Sequence, residues 1–186
     1  MFHVDHPMDH VNHPPEPGAK IHGTDPFAVP DEARSPARRL RGRLASAVTL
    51  WTAPGPAGLT VSTTLVVDGD PARLLGVVDD ESDLWTAARD AGRFAVAPLA
   101  SAHRQLADRF AGLMPAPGGL FKGYDFRDTP YGPVPADVAT WVGCRLDDAR
   151  ELGWGLLIEA TVEAVELGAD DDPLVHFRGR YRQLNH

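Results

Sequence analysis

Over residues 58–65 apolar and hydroxyl-bearing side chains alternate: Leu59, Val61 and Leu65 are interleaved with Thr60, Ser62 and Thr64. A period of two puts alternate side chains on opposite faces. The pattern therefore predicts a strand with one face in a core and the other presenting hydroxyls. β-branched Thr and Val suit a pleat, and Gly55, Pro56 and Gly58 mark a turn just before it. The apolar run over residues 45–52 is the expected hairpin partner, across Ala53-Pro54-Gly55-Pro56-Ala57. Hydroxyls and backbone amides leaving a tight turn suit a planar hydrogen-bonding ligand or a phosphate. An ordinary solvated strand face carries the same residues.

The same reading extends in both directions. Leu40 and Leu44, four apart among Arg38, Arg39, Arg41 and Arg43, predict a short amphipathic helix over residues 38–45. Its arginines are either a solvated face or neighbours of a phosphate. Asp68-Gly69-Asp70-Pro71 is turn chemistry, and residues 73–78 form a short, mostly buried strand. Ser82 is placed to cap a helix running to about Ala91, with Glu81 and Asp83 at its positive end and Gly92 as its stop. Residues 94–99 are strand-like, and Ser101 caps a second helix carrying Leu106, Phe110 and Leu113. Residues 114–135, rich in Gly and Pro, read as a lid or binding loop. Residues 140–146, 156–167 and 174–181 supply three further strands, with residues 168–173 as the last hairpin turn. About six strands, two short helices and tight turns describe a mainly β chain with short helices (α+β), arranged as a closed or nearly closed antiparallel barrel.

Composition narrows the role. The chain has 186 residues, 43% of them hydrophobic and 24% charged, enough for one domain with a sizeable core. A net charge of −8 opposes a nucleic-acid or anionic-membrane surface. Arginine (16) far outnumbers lysine (2), a coding bias more than a binding signal. Cys144 is the single cysteine, a small core residue, so no disulfide forms within the chain. No apolar run approaches the ~20 residues that span a bilayer, and the first residues lack a basic-then-apolar leader pattern. The cytoplasm is the expected compartment.

The N-terminal stretch differs from the rest. Proline recurs through residues 1–37, apolar residues are sparse, and a flexible arm ahead of a single domain over residues 38–186 is expected. Five of the eight histidines lie here, and His3, His6, His10 and His13 are spaced to share a helix face that could hold a divalent metal. Pro7 and Pro14 oppose that helix.

From about Arg38 to Leu184 the order of these segments resembles the flavin reductase-like family. Gly58-Leu-Thr-Val-Ser-Thr-Thr is similar to its Gly-hydrophobe-Thr-Val-Ser-Ser segment. Asp70-Pro71 resembles its Asp-Pro-Pro turn, and Ala91-Gly92-Arg93-Phe94-Ala95-Val96 its Ser-Gly-x-Phe-x-Val. Leu106-Ala-Asp-Arg-Phe-Ala-Gly112 resembles Leu-Ala-x-x-Phe-Ala-Gly, and the run from Pro173 to Tyr181 the closing Pro-Leu-x-x-Phe-x-Gly-x-Tyr strand. The resemblance implies an FMN-binding split barrel that homodimerises and takes a hydride from NAD(P)H to FMN or FAD. It also implies delivery of reduced flavin or electrons to a partner such as a monooxygenase.

Carried over residue by residue, it assigns Thr60, Val61, Ser62, Thr63 and Thr64 to the edge of the isoalloxazine. Ser82, at a helix N-terminus, is assigned to the phosphate, with Arg89, Arg41 and Arg43 as candidate second contributors. Trp85 and Trp154 are candidates to stack on a ring, and His176 is a candidate nicotinamide contact, each weighed against a place in the core, an interface or a structural role. His103 reads as a surface residue. The chain departs from the family pattern at Ala97 (family Asn), Leu84 (family Thr), Leu65-Val66-Val67-Asp68 (family Thr-Ser-Val-Ser) and Leu152-Gly153-Trp154 (family Gly-Asp-His). These changes leave a second reading open, a flavin-binding carrier, sensor or reservoir without its own NAD(P)H site. A third keeps the barrel as an interaction module without flavin.

Overall fold

The structure is a computed structural model that describes residues 35–169 and 172–184. The histidines of residues 1–34, including His3, His6, His10 and His13, lie outside the described residues. Helix α1 (Pro36–Arg43) opens the described chain, capped by the Ser35 side chain. It is followed by β1 (Ser46–Ala47), β2 (Thr49–Ala53), β3 (Ala57–Val61), β4 (Thr64–Val67) and β5 (Arg73–Val78). Then come α2 (Asp83–Ala91), β6 (Arg93–Pro98), a 3-10 turn at Ser101–His103 and α3 (Arg104–Phe110). The chain ends with β7 (Phe126–Arg127), β8 (Val134–Pro135), β9 (Trp141–Leu152), β10 (Gly155–Glu166), β11 (Val175–Phe177) and β12 (Arg180–Arg182). No described helix is long and apolar enough to cross a membrane.

Seven strands form one antiparallel sheet in the order β3-β2-β6-β9-β10-β5-β4. β3 and β4 sit at its opposite edges, yet only Ser62 and Thr63 separate them in the chain. Two residues reach about 10 Å at most, so the sheet must curl until its edges meet. Register shifts between Glu159 and Ala160 and between Val162 and Ala164 supply the bend in the long β9–β10 pair. This is the barrel that the strand pattern predicts.

Apolar residues divide between its inside and its outside. Inside, Trp51 stacks on Phe94 with centroids 4.8 Å apart, among Val61, Leu74, Val78, Leu84, Cys144 and Ile158. Gly76 makes room for the indole: a Cβ there would stand 2.5 Å from the Trp51 ring. Outside, Val48, Leu50, Ala97, Leu99, Leu106, Phe110 and Leu174 form a second cluster under α3. Burial of Ala97 in that cluster leaves no polar group where the family pattern carries Asn. β1, β11 and β12 form a separate small sheet beside it, in the order β1-β11-β12.

Several expectations are met and several are corrected. Ser82 caps α2 and Gly92, at φ 65°, ends it. The 45–52 run pairs with the glycine-led strand as expected, Thr49 opposite Val61 and Ala53 opposite Ala57. The single strand read across residues 58–65 is instead two, because the chain leaves one sheet edge at Ser62 to join the other. Leu65 therefore faces away from the core, 59% exposed. The closing strand over residues 174–181 folds back as a hairpin at Arg178-Gly179, both at positive φ. β10 and β11 are not hairpin partners as the expected turn over residues 168–173 would make them, since β11 pairs with β1 and β12. His103 is buried, Nδ1 accepting from the Ala100 N–H at 3.0 Å and Nε2 3.2 Å from Asp137. Within the loop over residues 114–135, Phe121 and Phe126 pack edge-on against Phe110, which anchors that segment to α3.

Candidate functional site

The β3–β4 crossover is the centre of the candidate site, and its hydroxyls are not equivalent. Thr60 Oγ1 donates to the Ala107 carbonyl of α3 at 2.8 Å. Thr63 Oγ1 donates to the Val77 carbonyl at 2.9 Å, and the Val77 N–H donates back to the Thr63 carbonyl at 3.3 Å. Thr49 Oγ1 donates its proton to the Val61 carbonyl, so in the 2.9 Å contact between Thr49 and Thr64 it is Thr64 that donates. The Trp51 Nε1–H completes that knot, 3.0 Å from Thr49 Oγ1. Three of the four hydroxyls are thus engaged within the fold: Thr60 to α3, Thr63 to β5, and Thr64 to β2 across the closure. Ser62 is half-buried and has no hydrogen-bond partner among the described residues. Val61 is 3% exposed inside the barrel, so only its backbone is available to a ligand.

The phosphate position expected at Ser82 is built differently. The Ser82 hydroxyl accepts from the Trp85 N–H at 3.2 Å and donates to the Asp79 carbonyl at 2.6 Å. Both roles serve the helix. Asp79, Asp80, Glu81 and Asp83 surround it in sequence, and their charge repels a phosphate that the helix dipole alone would attract. Arg89 is seven residues further along α2, about 10 Å along the axis. Its Nε and Nη2 both donate to Asp90 Oδ1 at 3.0 Å. Ser82 and Arg89 are therefore not brought together. Trp85 packs its ring on the inner cluster, where it lines a small apolar cavity with Trp51 and Phe94.

His176 lies on β11 opposite Ser46 of β1, which runs through Val48 into β2 and so toward the Thr49–Val61 rung. It shares the Ser62 end of the barrel. The imidazole meets Tyr181 edge-on at 6.2 Å, and burial, then the nearby Arg41 charge, lowers its pKa below the ordinary value. It is neutral at pH 7 and acts by packing and hydrogen bonding, not as a cation. Trp154 sits 75% exposed at the β9–β10 turn. Burial pushes the Cys144 thiol up to about 12, which removes thiolate chemistry at pH 7. No cluster of three or more metal-ligating side chains occurs among the described residues.

These groups test the fit of a flavin. The ring edge is accommodated: Ser62 offers a donor without a partner at the mouth of a rigid barrel. The phosphate is not accommodated at Ser82, where the hydroxyl is saturated and the surroundings are acidic. Sequence reasoning singled out the hydroxyl-bearing stretch but not which of its hydroxyls is available, because that depends on pairings between residues up to 47 apart. It also passed over Arg178, Arg180 and Arg182 of the β11–β12 hairpin, whose distance along the chain hides their proximity to α1.

Comparisons with known proteins agree with this architecture. Residues 41–185 match the model of the flavin reductase like domain. The chain is 33% identical over 165 residues to an FMN reductase (NADH), RutF 2, of Methylorubrum extorquens, covering 87% of this chain and 94% of that protein. Among solved structures it superimposes on the NADH:FAD oxidoreductase SgcE6 of Streptomyces globisporus C-1027 with a TM-score of 0.74, at 22% identity and covering 85% and 97% of the two chains. It also matches BorF, the flavin reductase component of a bacterial two-component tryptophan halogenase, with a TM-score of 0.71, at 24% identity and covering 81% and 97%.

Proposed function

The chain belongs to the flavin reductase-like family, and on that premise we propose that it is an NADH-dependent FMN reductase that hands reduced flavin to an electron-accepting partner. The observation that carries the reading is Ser62: in a row of hydroxyls otherwise engaged within the fold, it alone is left without a partner among the described residues. FMN, when bound, supplies the two-electron chemistry, accepting a hydride from NADH. The protein's part is positional. Ser62 and the backbone around it fix the edge of the ring, and the barrel, held by the Thr49–Trp51–Thr64 knot, keeps that corner rigid. No acid or base of the protein has to move a proton for a hydride transfer. The neutral His176 at the same end is suited to contact the nicotinamide, and a monooxygenase or similar flavin-consuming enzyme is the partner that fits the product.

A homodimer accounts for β4. Leu65, Val66 and Val67 are consecutive and exposed, so both faces of this edge strand are apolar and uncovered. A bare edge of that kind invites pairing unless something covers it, and a second copy placed against it would close the Ser62 corner from the other side. The cytoplasm is the compartment where NADH is present and a reduced Cys144 is at home.

Following NADH oxidation at 340 nm with added FMN tests the reading, with riboflavin and FAD in parallel. Turnover that saturates with FMN supports it. A purified chain that binds flavin but leaves NADH untouched would make it a carrier, the alternative that Leu152-Gly153-Trp154 keeps open.

A further inference from the structure

The two ends of the described chain meet in one place. α1 and the β11–β12 hairpin are separated by some 130 residues, yet the Arg178 N–H donates to the Gly42 carbonyl at 2.6 Å, and β1 pairs with β11. Together residues 35–47 and 174–184 carry seven arginines, Arg38, Arg39, Arg41, Arg43, Arg178, Arg180 and Arg182, and not one Asp or Glu. The chain as a whole is acidic, with 26 Asp and Glu against 18 Lys and Arg. Chain-wide preference for arginine over lysine explains the residue type but not the clustering, nor the missing carboxylates.

Arg39, Arg41, Arg43, Arg180 and Arg182 are exposed and form no ion pair among the described residues. Arg178 is held over the Phe177 ring at 5.3 Å and Arg104 of α3 over Tyr181 at 5.7 Å. Burial first, then the charge and hydrogen bond of Asp108, hold the Tyr181 hydroxyl well above its ordinary pKa. Arg178 sits at φ 53°, a left-handed backbone that a β-carbon resists. Like charges gathered at exposed positions repel one another, and a left-handed backbone at a residue with a β-carbon persists where the surroundings require it.

We propose that this arginine lobe is the nucleotide-phosphate subsite of the molecule. Its place supports that assignment: β1 carries it to the end of the barrel where Ser62 is available. Its chemistry supports it too, since guanidinium groups bind phosphate oxygens in pairs and the neighbouring His176, Phe177 and Tyr181 rings offer faces to a base or ring. The subsite takes over what the acidic Ser82 terminus is unfit to do. The inference rests on the reductase reading for the identity of the nucleotide, either the 5′-phosphate of FMN or the diphosphate of NADH, but not for the binding of phosphate itself.

Two double variants test it, Arg41→Gln/Arg43→Gln and Arg180→Gln/Arg182→Gln, all at exposed positions where folding is little affected. Calorimetric titration of ADP into the resting protein is the first readout. The expected result is binding by the wild type that weakens roughly tenfold in each variant and fades toward about 1 M salt, where the Debye length is ~3 Å. Steady-state assays then separate the sources. A rise in KM for FMN with none for riboflavin assigns the lobe to the flavin phosphate. A rise in KM for NADH with an unchanged FMN-to-riboflavin ratio assigns it to the dinucleotide. Wild-type ADP binding and unchanged KM values in both variants overturn the proposal. Loss of electron delivery to a protein acceptor alone also overturns it, because the lobe would then be a docking surface for an acidic protein. Absence of NADH turnover in the wild type with intact, arginine-dependent ADP binding would instead remove the reductase reading and leave the subsite standing.

Discussion

β3 and β4 are halves of one stretch with one pattern, and they end in opposite surroundings. β3 is covered on both sides, by the inner cluster at Val61 and by α3 at Thr60. β4, starting three residues later, exposes Leu65, Val66 and Val67. Alternation specifies that a segment is extended and which side chains share a face. It does not specify what each face meets. That is decided by closure: β3 pairs with β2 under α3, whereas β4 pairs with β5 and among the described residues no strand lies beyond it. The two hydroxyls at the junction illustrate the same point. Thr63 is tied to Val77 of the neighbouring β5, while Ser62 beside it is left open.

The largest effect should come from the group that both halves rely on. Trp51 stacks on Phe94, fits against Gly76 and hydrogen-bonds the hydroxyls of Thr49 and Thr64. Trp51→Ala should therefore cost about 3–5 kcal/mol of stability. A denaturant melt that moves by less than half of this would mean the seam holds without it. Next is the exposed half. Val66→Asp places a charge on the proposed dimer face and should raise the dimer dissociation constant by roughly a hundredfold, on the order of 3 kcal/mol. The monomer's own unfolding should hardly change. Light scattering that finds the variant still dimeric at micromolar concentration would leave β4 without a partner of its own kind.

Smaller effects sharpen the contrast within β3 and the crossover. Val61→Ala opens a cavity in the inner cluster and should cost about 1–3 kcal/mol of stability, with flavin affinity little altered. Ser62→Ala should do the reverse, weakening FMN about three- to tenfold for the loss of one hydrogen bond of about 0.5–1.5 kcal/mol, with an unchanged melt. Fluorescence titration of FMN into both proteins reads the difference. If Ser62→Ala binds as the wild type does while Val61→Ala loses flavin without losing stability, the roles of the two faces are exchanged.

Much of the fold was legible because its signals are local. The Ser82 cap, the Gly92 stop and the 49–61 hairpin each follow from a few adjacent residues. What was not legible depends on distant partners. Leu65 is exposed because a two-residue crossover carries it to the far edge of the sheet. His103 is buried because Asp137, 34 residues away, and the Ala100 amide occupy its two nitrogens. The closing strand breaks at Arg178, a residue whose side chain gives no hint of a left-handed backbone. In the candidate site the helix N-terminus at Ser82 was visible from sequence, as were the acids around it. The weight of those acids became plain only once the Ser82 hydroxyl was found already engaged on both sides.

Cys144, walled into the barrel with its thiol at about pKa 12, has a consequence for durability. Reduced flavin that escapes its acceptor reacts with dioxygen and yields hydrogen peroxide, so an enzyme of this kind works beside its own oxidant. A thiolate attacks peroxide, breaking its O–O bond to give a sulfenic acid, and a thiol both buried and protonated offers no such nucleophile. Among the described residues the sulfur that peroxide reaches first is Met114, 41% exposed at the start of the loop after α3. Sulfoxide formed there lies away from the inner cluster and is reversible by dedicated reductases. Oxidative wear is thereby directed to a position the barrel does not depend on.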